Sequence, residues 1–157
     1  NGTETQKLLA SDGAANDLFG TSVAVSGDTV VVGSDGAGGD RGAAYVFARD
    51  AAGTFAERQK LTASDGVAGD SFGESVAVSG DTAVVGASSD DGARGAAYVF
   101  TRDSSGTWTE RQKLTASDGA ESDSFGASKS CMPNVVRKWK LSPAKPPVNR
   151  PSACIVP

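Results

Sequence analysis

Short runs of β-branched and other apolar residues alternate with turns rich in glycine and aspartate along most of the chain. Residues 22–26 and 29–32 flank Gly27 and Asp28. A glycine that adopts positive φ without a Cβ clash suits a tight hairpin between two strands. Residues 43–47 predict a third strand, and the more polar residues 54–61 predict a fourth. We expect no helix before residue 128.

The same pattern returns at a fixed period. Gln-Lys-Leu begins at residues 6, 59 and 112, a spacing of 53 residues, and 36 of 53 positions are identical between residues 6–58 and 59–111. The second copy predicts strands at 75–79, 82–85, 96–100 and 107–114, and a partial third copy covers 112–128. Tandem units of four short antiparallel strands are typical of β-propeller blades. We therefore predict an all-β, incomplete β-propeller over residues 1–128; a β-solenoid is the alternative, although its coils are usually shorter.

Several separated motifs of each copy resemble the FG-GAP repeat, which is known from the integrin α-subunit propeller and its bacterial relatives. The resemblance covers residues 6–128 and rests on Phe19-Gly20, Ser22-Val23-Ala24-Val25, Val32-Gly33 and residues 42–47, with counterparts at Phe72-Gly73, 75–78, 85–87 and 95–100. Ser88 stands where the motif has its proline, so the match is to the looser bacterial form. The resemblance implies a propeller of about seven blades in an extracellular or cell-envelope protein.

The chain is too short to close such a ring alone, because even four units of 53 residues exceed its 157 residues. We expect apolar side chains on a blade face, such as Val23, Val25, Val31, Tyr45 and Phe47, to lack a neighbour at an open end. Five such side chains left exposed would forfeit roughly 7–15 kcal/mol. The partners expected are therefore further blades of the same protein or other copies of this chain.

Composition changes abruptly after residue 128. All six prolines, both cysteines and the single methionine lie in residues 129–157, together with six Lys or Arg and no acidic residue, whereas all 20 glycines precede them. Two interpretations stay open: the segment is out of frame or joined from elsewhere, or it is a basic, proline-rich and irregular tail. Cys131 and Cys154, the proline-containing stretch at residues 140–146 and an N-glycosylation sequon at Asn1 carry no firm assignment.

The chain contains no histidine, which removes the commonest general base and zinc ligand and every Ser-His or Cys-His nucleophile. No stretch approaches the ~18 apolar residues of a membrane span, and the first twenty residues lack the pattern of a signal peptide. We expect a soluble chain with no catalytic and no cofactor-binding residues. The acidic repeat region, with 9 basic and 19 acidic residues, also argues against nucleic acid.

Each copy carries an Asp-Gly turn followed by a second aspartate. Calcium prefers several hard oxygens in a glycine-containing turn, so these loops are the candidate metal sites. The alternative is that the carboxylates bond backbone amides within the turn. Calcium binding is not carried over from the family, because the hairpins at residues 26–29 and 79–82 lack its calcium loop. The candidate residues are Asp12, Asp17, Asp65, Asp70, Asp118 and Asp123.

Two further features bear on function. The glycine-rich loop at residues 34–42 and its counterpart at 87–95 differ most between the copies, which indicates either ligand contacts or neutral drift. Arg58 and Lys60, repeated as Arg111 and Lys113, are interpreted as charges that protect an edge strand from pairing.

Three functional hypotheses follow. The first is a non-enzymatic propeller fragment that presents loops to a protein or glycan. The second is a calcium-dependent adhesive module that uses the repeated aspartates. The third is a fragment of a larger propeller enzyme whose site lies outside this chain.

Overall fold

The computed structural model describes residues 3–127. Eight strands form two four-stranded antiparallel sheets, each in the order of the sequence. The first blade contains β1 (Val23–Ser26), β2 (Thr29–Ser34), β3 (Ala43–Arg49) and β4 (Phe55–Leu61). The second contains β5 (Phe72–Ser79), β6 (Thr82–Ala87), β7 (Ala96–Arg102) and β8 (Trp108–Leu114). The all-β prediction and the incomplete propeller are confirmed.

The strands lie where the β-branched runs predicted them, and the register is the same in both blades. Val31 pairs with Val46 in the first blade, and Val84 pairs with Val99 in the second. The pairing of the third strand with the fourth shifts register once in each blade, between Val46 and Phe47 and between Val99 and Phe100. The β5–β6 pairing has a further shift between Phe72 and Ser75. Short turns follow β2 and β6, at Ala37–Asp40 and Asp90–Ala93. Three residues of each have φ between +49° and +74°, so neither turn is a regular right-handed helix, in line with the expectation of no helix.

The main core lies between the two blades. Val31, Val46 and Leu61 of the first blade pack in one cluster with Phe72, Val85 and other residues of the second. Val31 and Val85 are fully buried, and burial of each such side chain contributes about 1.5–3 kcal/mol. Neither sheet could bury this face alone.

The Phe-Gly motif makes the joint between the blades. Phe72 is fully buried, and its ring meets those of Tyr98 and Phe100 edge to face, with centroids 5.4 and 6.1 Å away. Gly73 has a φ of +95°, and a Cβ there would lie 2.2 Å from the Ala43 carbonyl oxygen. Only glycine therefore lets the chain pass this close to the first blade.

The predicted open face is exposed only in part. Val23 and Val25 are 59% and 64% exposed, as expected. Val31 is buried because it points from the other face of the sheet, towards the second blade. Tyr45 and Phe47 are buried as well, because Leu8, Ala10 and Phe19 pack against their cluster: Val30, Val32, Ala37, Ala43, Tyr45 and Phe47. The expectation was wrong for Val31, Tyr45 and Phe47.

The proposed boundary at residue 128 and the tail at 129–157 lie outside the described residues, as do Cys131, Cys154, the proline-containing stretch and Asn1. Within residues 3–127, no helix is both long enough and apolar enough to cross a membrane.

Candidate functional site

The loops between the second and third strands lie at one end of the blades, where they also bind the connection to the next unit. In the first blade the Asp40 carbonyl accepts hydrogen bonds from the backbone N–H groups of Gly69 and Ser71, at 3.1 and 3.0 Å. The Arg41 carbonyl accepts one from Phe72. Ala93 and Arg94 repeat this with Ser124 and Phe125. The hairpin turns after β1 and β3 lie at the opposite end, since Arg49 bonds the Asp28 carbonyl there.

A cluster of Asp12, Tyr45 and Lys60 lies beside the first of these loops. The Tyr45 hydroxyl donates to Asp12 Oδ1 at 2.7 Å, and Lys60 Nζ donates to Asp12 Oδ2 at 2.6 Å. Lys60 Nζ also lies 5.2 Å from the centroid of the Tyr45 ring. The bond from Lys60, supported by that from Tyr45, lowers the pKa of Asp12. Burial alone would lower the pKa of Lys60, but its bonds to Asp12 and Tyr45 outweigh burial and raise it.

The second blade repeats this cluster with Asp65, Tyr98 and Lys113, and adds a buried carboxylate. Asp90, whose side chain is 5% exposed, accepts from the Tyr98 hydroxyl at 2.7 Å and from Lys113 Nζ at 2.9 Å. Asp65 lies within hydrogen-bond distance of the same two groups, at 2.8 and 2.7 Å, so the single hydroxyl proton of Tyr98 is shared between the two carboxylates. Burial, followed by the bond to Asp90, raises the pKa of Tyr98. Ala37 occupies the position of Asp90 in the first blade.

The second aspartate of each candidate metal loop closes a turn. Asp17 accepts from the Ala14 N–H at 2.8 Å, Asp70 from Val67 at 2.7 Å, and Asp123 from Ala120 at 2.8 Å. Turn closure, the alternative interpretation, therefore describes these three residues.

The first aspartate of each loop has different surroundings. Asp12 and Asp65 bond the side chains of the Asp–Tyr–Lys clusters, as described above. Asp118 is exposed at the equivalent position of the third copy. Among residues 3–127, no three acidic, cysteine or histidine side chains come together in a way that could hold a metal ion. Calcium binding stays a prediction.

Two repeated blades joined through Phe-Gly and Gly-Ala motifs are the architecture that the sequence resemblance implies. The FG-GAP repeat model matches residues 3–47, 55–100 and 108–133. The chain belongs to the FG-GAP repeat family. The third match ends five residues beyond the predicted boundary at residue 128. A comparison with curated proteins found no match.

The divergent loops of the two FG-GAP units share one backbone. Gly38 and Gly39 have φ of 64° and 74°, and their counterparts Asp91 and Gly92 have 49° and 70°. The segments close alike, because Gly42 N–H bonds the Ala37 carbonyl and Gly95 N–H bonds that of Asp90, both at 2.9 Å. All five residues from 34 to 38 nevertheless differ from those at 87 to 91. The backbone is kept while the side chains on it change.

Both units have a hydrogen bond between a hydroxyl and a carboxylate beside this loop, but the positions of the donor and the acceptor are exchanged between them. In the first FG-GAP unit Thr21 Oγ1 donates to Asp35 at 2.7 Å. In the second, Glu74 takes the place of Thr21 and Ser88 that of Asp35, and the Ser88 hydroxyl donates to Glu74. The bond that fixes the start of the loop has therefore survived the divergence.

Sequence reasoning missed Tyr45, Tyr98 and Asp90 as members of the clusters. It also interpreted Lys60 and Lys113 as edge protection, whereas both bind aspartates of the connecting segments. The exact recurrence of Tyr and Lys in both copies was the available signal. Nothing in the local pattern indicated that Asp90, in a variable loop, would be buried.

Proposed function

We propose that this chain is a non-enzymatic binding scaffold of an extracellular or cell-envelope protein, which contacts a protein or glycan through the loops at residues 34–42 and 87–95. The observation that carries the proposal is the constant backbone of these loops under divergent side chains. Loops of different composition on a rigid repeated scaffold are a common arrangement for ligand contacts.

The exposed groups of the second loop suit polar recognition. Asp91 is 72% exposed and Arg94 51% exposed in their side chains, and they pair at 3.1 Å. The first loop offers Gly38, Gly39 and Asp40 at the surface instead. The two adjacent loops therefore have the same backbone shape but present different hydrogen-bonding groups. This supports recognition of one extended polar partner rather than of a partner with identical repeating groups.

The chemistry of the clusters supports a role without catalysis. An amine that acts as a nucleophile or base needs a lowered pKa, whereas the bonds to aspartate and tyrosine raise the pKa of Lys60 and of Lys113 above its usual value. The clusters hold the connecting segments against the blades. The extracellular assignment is supported by FG-GAP repeats being typically extracellular.

Exchange of one loop tests the proposal. Residues 88–91 (Ser-Ser-Asp-Asp) are replaced by the residues of the first loop, Asp-Gly-Ala-Gly, together with Glu74→Thr, which keeps the hydroxyl–carboxylate bond of the first unit. Binding to arrayed glycans and secreted proteins is compared with that of the unchanged chain. As a matched control, Ser104→Ala and Ser105→Ala give the β7–β8 turn, at the opposite end, the residues of the first unit. We expect the loop exchange to abolish binding and the turn exchange to leave it intact. Equal binding by both variants, or binding of no probe by the unchanged chain, would overturn the proposal.

A further inference from the structure

Residues 59–73, which lead from β4 into β5, join the two blades and make two separate sets of contacts. Towards the second blade, the Gln59 side chain bonds both backbone groups of Trp108, and Ser64 bonds Glu110. Towards the first blade, Gly69 and Ser71 bond the Asp40 carbonyl. One segment of about fifteen residues therefore fastens two neighbouring blades to each other.

The equivalent segments at either side of this pair each make only one of the two sets within residues 3–127. Residues 6–20 bind forward onto the first blade, where the Gln6 side chain bonds Phe55 and Ser11 bonds Glu57. Residues 112–126 bind backward onto the second blade, where Ser124 and Phe125 bond the carbonyls of Ala93 and Arg94. The two segments have 11 of 15 residues in common. Each is thus suited to the contacts that the other makes.

The surfaces beside these segments correspond in the same way. Val23 and Val25 are more than half exposed, whereas Val78, the counterpart of Val25, is only 6% exposed because the first blade covers it. On the far face of the second blade, Val84 and Val99 are partly exposed, whereas their counterparts Val31 and Val46 are 0% and 1% exposed. Among residues 3–127, the surface with Val23 and Val25 corresponds to one half of the interface between the blades, and the surface with Val84 and Val99 corresponds to the other half.

We propose that copies of this chain associate head to tail, with the second blade of one copy packed on the first blade of the next. Residues 112–126 of the first copy would replace residues 6–20 on the neighbouring first blade. The contacts that residues 6–20 lose on the first blade are replaced by equivalent contacts of residues 112–126. The free energy of association therefore comes from burial of the valines on both surfaces. The interface is heterologous, so it either closes into a ring or continues as a filament. Since propellers close with four to eight blades, a ring would hold about two to four copies.

A polar contact across the existing interface also indicates that a second copy of the chain covers the exposed surfaces. Ser26 Oγ accepts a hydrogen bond from Gly80 N–H at 3.1 Å across the existing interface. Ser79 and Gly27 are the counterparts of this pair in the other units, so two copies would restore the bond between them. A second copy of the chain therefore supplies both the apolar and the polar half of the interface.

The test is the mass of the 157-residue chain in solution, measured by sedimentation velocity and light scattering from micromolar to hundreds of micromolar concentration. We expect a concentration-dependent rise to a multiple of the chain mass. Val25→Glu should weaken association at least about tenfold, because it places a charge in the interface while the side chain is exposed in the single chain. Ala51→Glu adds the same charge on the exposed β3–β4 turn and should leave association unchanged.

A mixing experiment distinguishes head-to-tail association from a symmetric contact. Val25→Glu removes one surface and Val84→Glu removes the other, so each variant alone should be monomeric and their mixture should stop at a heterodimer. Circular dichroism verifies folding, and Val84→Thr replaces Val84→Glu if the charged variant unfolds. A chain that stays monomeric at every concentration, an unaffected Val25→Glu variant, or a mixture without heterodimer would each overturn the proposal.

Discussion

The hydroxyl of Ser22 donates a hydrogen bond of 2.7 Å to the carbonyl of Gly73, which lies in β5, the first strand of the next blade. Ser75 makes the same bond to Gly126, at 2.6 Å. The carbonyl of Gly73 also approaches Gly33 so closely that a Cβ on Gly33 would lie 1.9 Å from its oxygen. The recurring Ser and Gly positions of the FG-GAP unit therefore join one blade to the next rather than line a ligand site.

Alanine substitution of the two Phe-Gly glycines separates backbone strain from contact between the blades. Gly20 and Gly73 both have a φ of +95°, but a Cβ on Gly20 would meet nothing within 4 Å, whereas one on Gly73 would lie 2.2 Å from the Ala43 carbonyl oxygen. We expect Gly20→Ala to lower the free energy of unfolding by about 1–2 kcal/mol. Gly73→Ala should lower it by a further ~1–3 kcal/mol. Urea denaturation measures both, and equal losses would contradict this account of the joint.

The strand positions and the blade architecture could be predicted from the sequence because they depend on local alternation and on a repeat that is visible without coordinates. The Asp–Tyr–Lys clusters could not, because Asp12 lies 33 residues from Tyr45 and 48 from Lys60. Their contact depends on how the connecting segment folds back onto the blade. The burial of Tyr45 and Phe47 by Leu8, Ala10 and Phe19 was missed for the same reason. Residues 8–19 show no strand pattern that would indicate where they pack.

Removal of the lysine from each cluster should have unequal costs. Lys113→Met leaves Asp90 as a buried carboxylate without its cation, and we expect a loss of about 3–5 kcal/mol. Lys60→Met leaves only Asp12, whose side chain is 51% exposed, and should cost about 1 kcal/mol or less. Chemical denaturation of both variants measures the difference.

A double variant serves as the control for this comparison. Asp90→Ala restores the arrangement of the first blade, where Ala37 stands at this position. Adding Asp90→Ala to Lys113→Met should therefore recover most of the lost stability. If the double variant is less stable than Lys113→Met alone, then the buried carboxylate is not the cause of the loss.

Protonation of Asp12 and Asp65 should lower the free energy of unfolding of the chain at acidic pH. The bonds from Lys60 and Lys113 lower the pKa of Asp12 and Asp65 below the usual value of 3.8. Their contribution is therefore complete above pH 3.8 and is lost as the pH falls through the lowered values of the folded state. Asp65→Asn should flatten this part of the curve of unfolding free energy against pH. An unchanged slope would assign acid unfolding to other groups.

Calcium should have no effect on thermal stability if the second aspartates only close turns. Asp70 is 5% exposed and accepts the Val67 N–H at 2.7 Å, so Asp70→Ala should cost about 1–2 kcal/mol through the lost acceptor. Millimolar calcium should leave the Tm of the unchanged chain where it is, with magnesium as the control. The second aspartate of each loop accepts a hydrogen bond from the backbone of its own turn. In the first two units, the first aspartate is paired with a lysine. A calcium-dependent rise in Tm that Asp70→Asn abolishes would instead establish the adhesive calcium module.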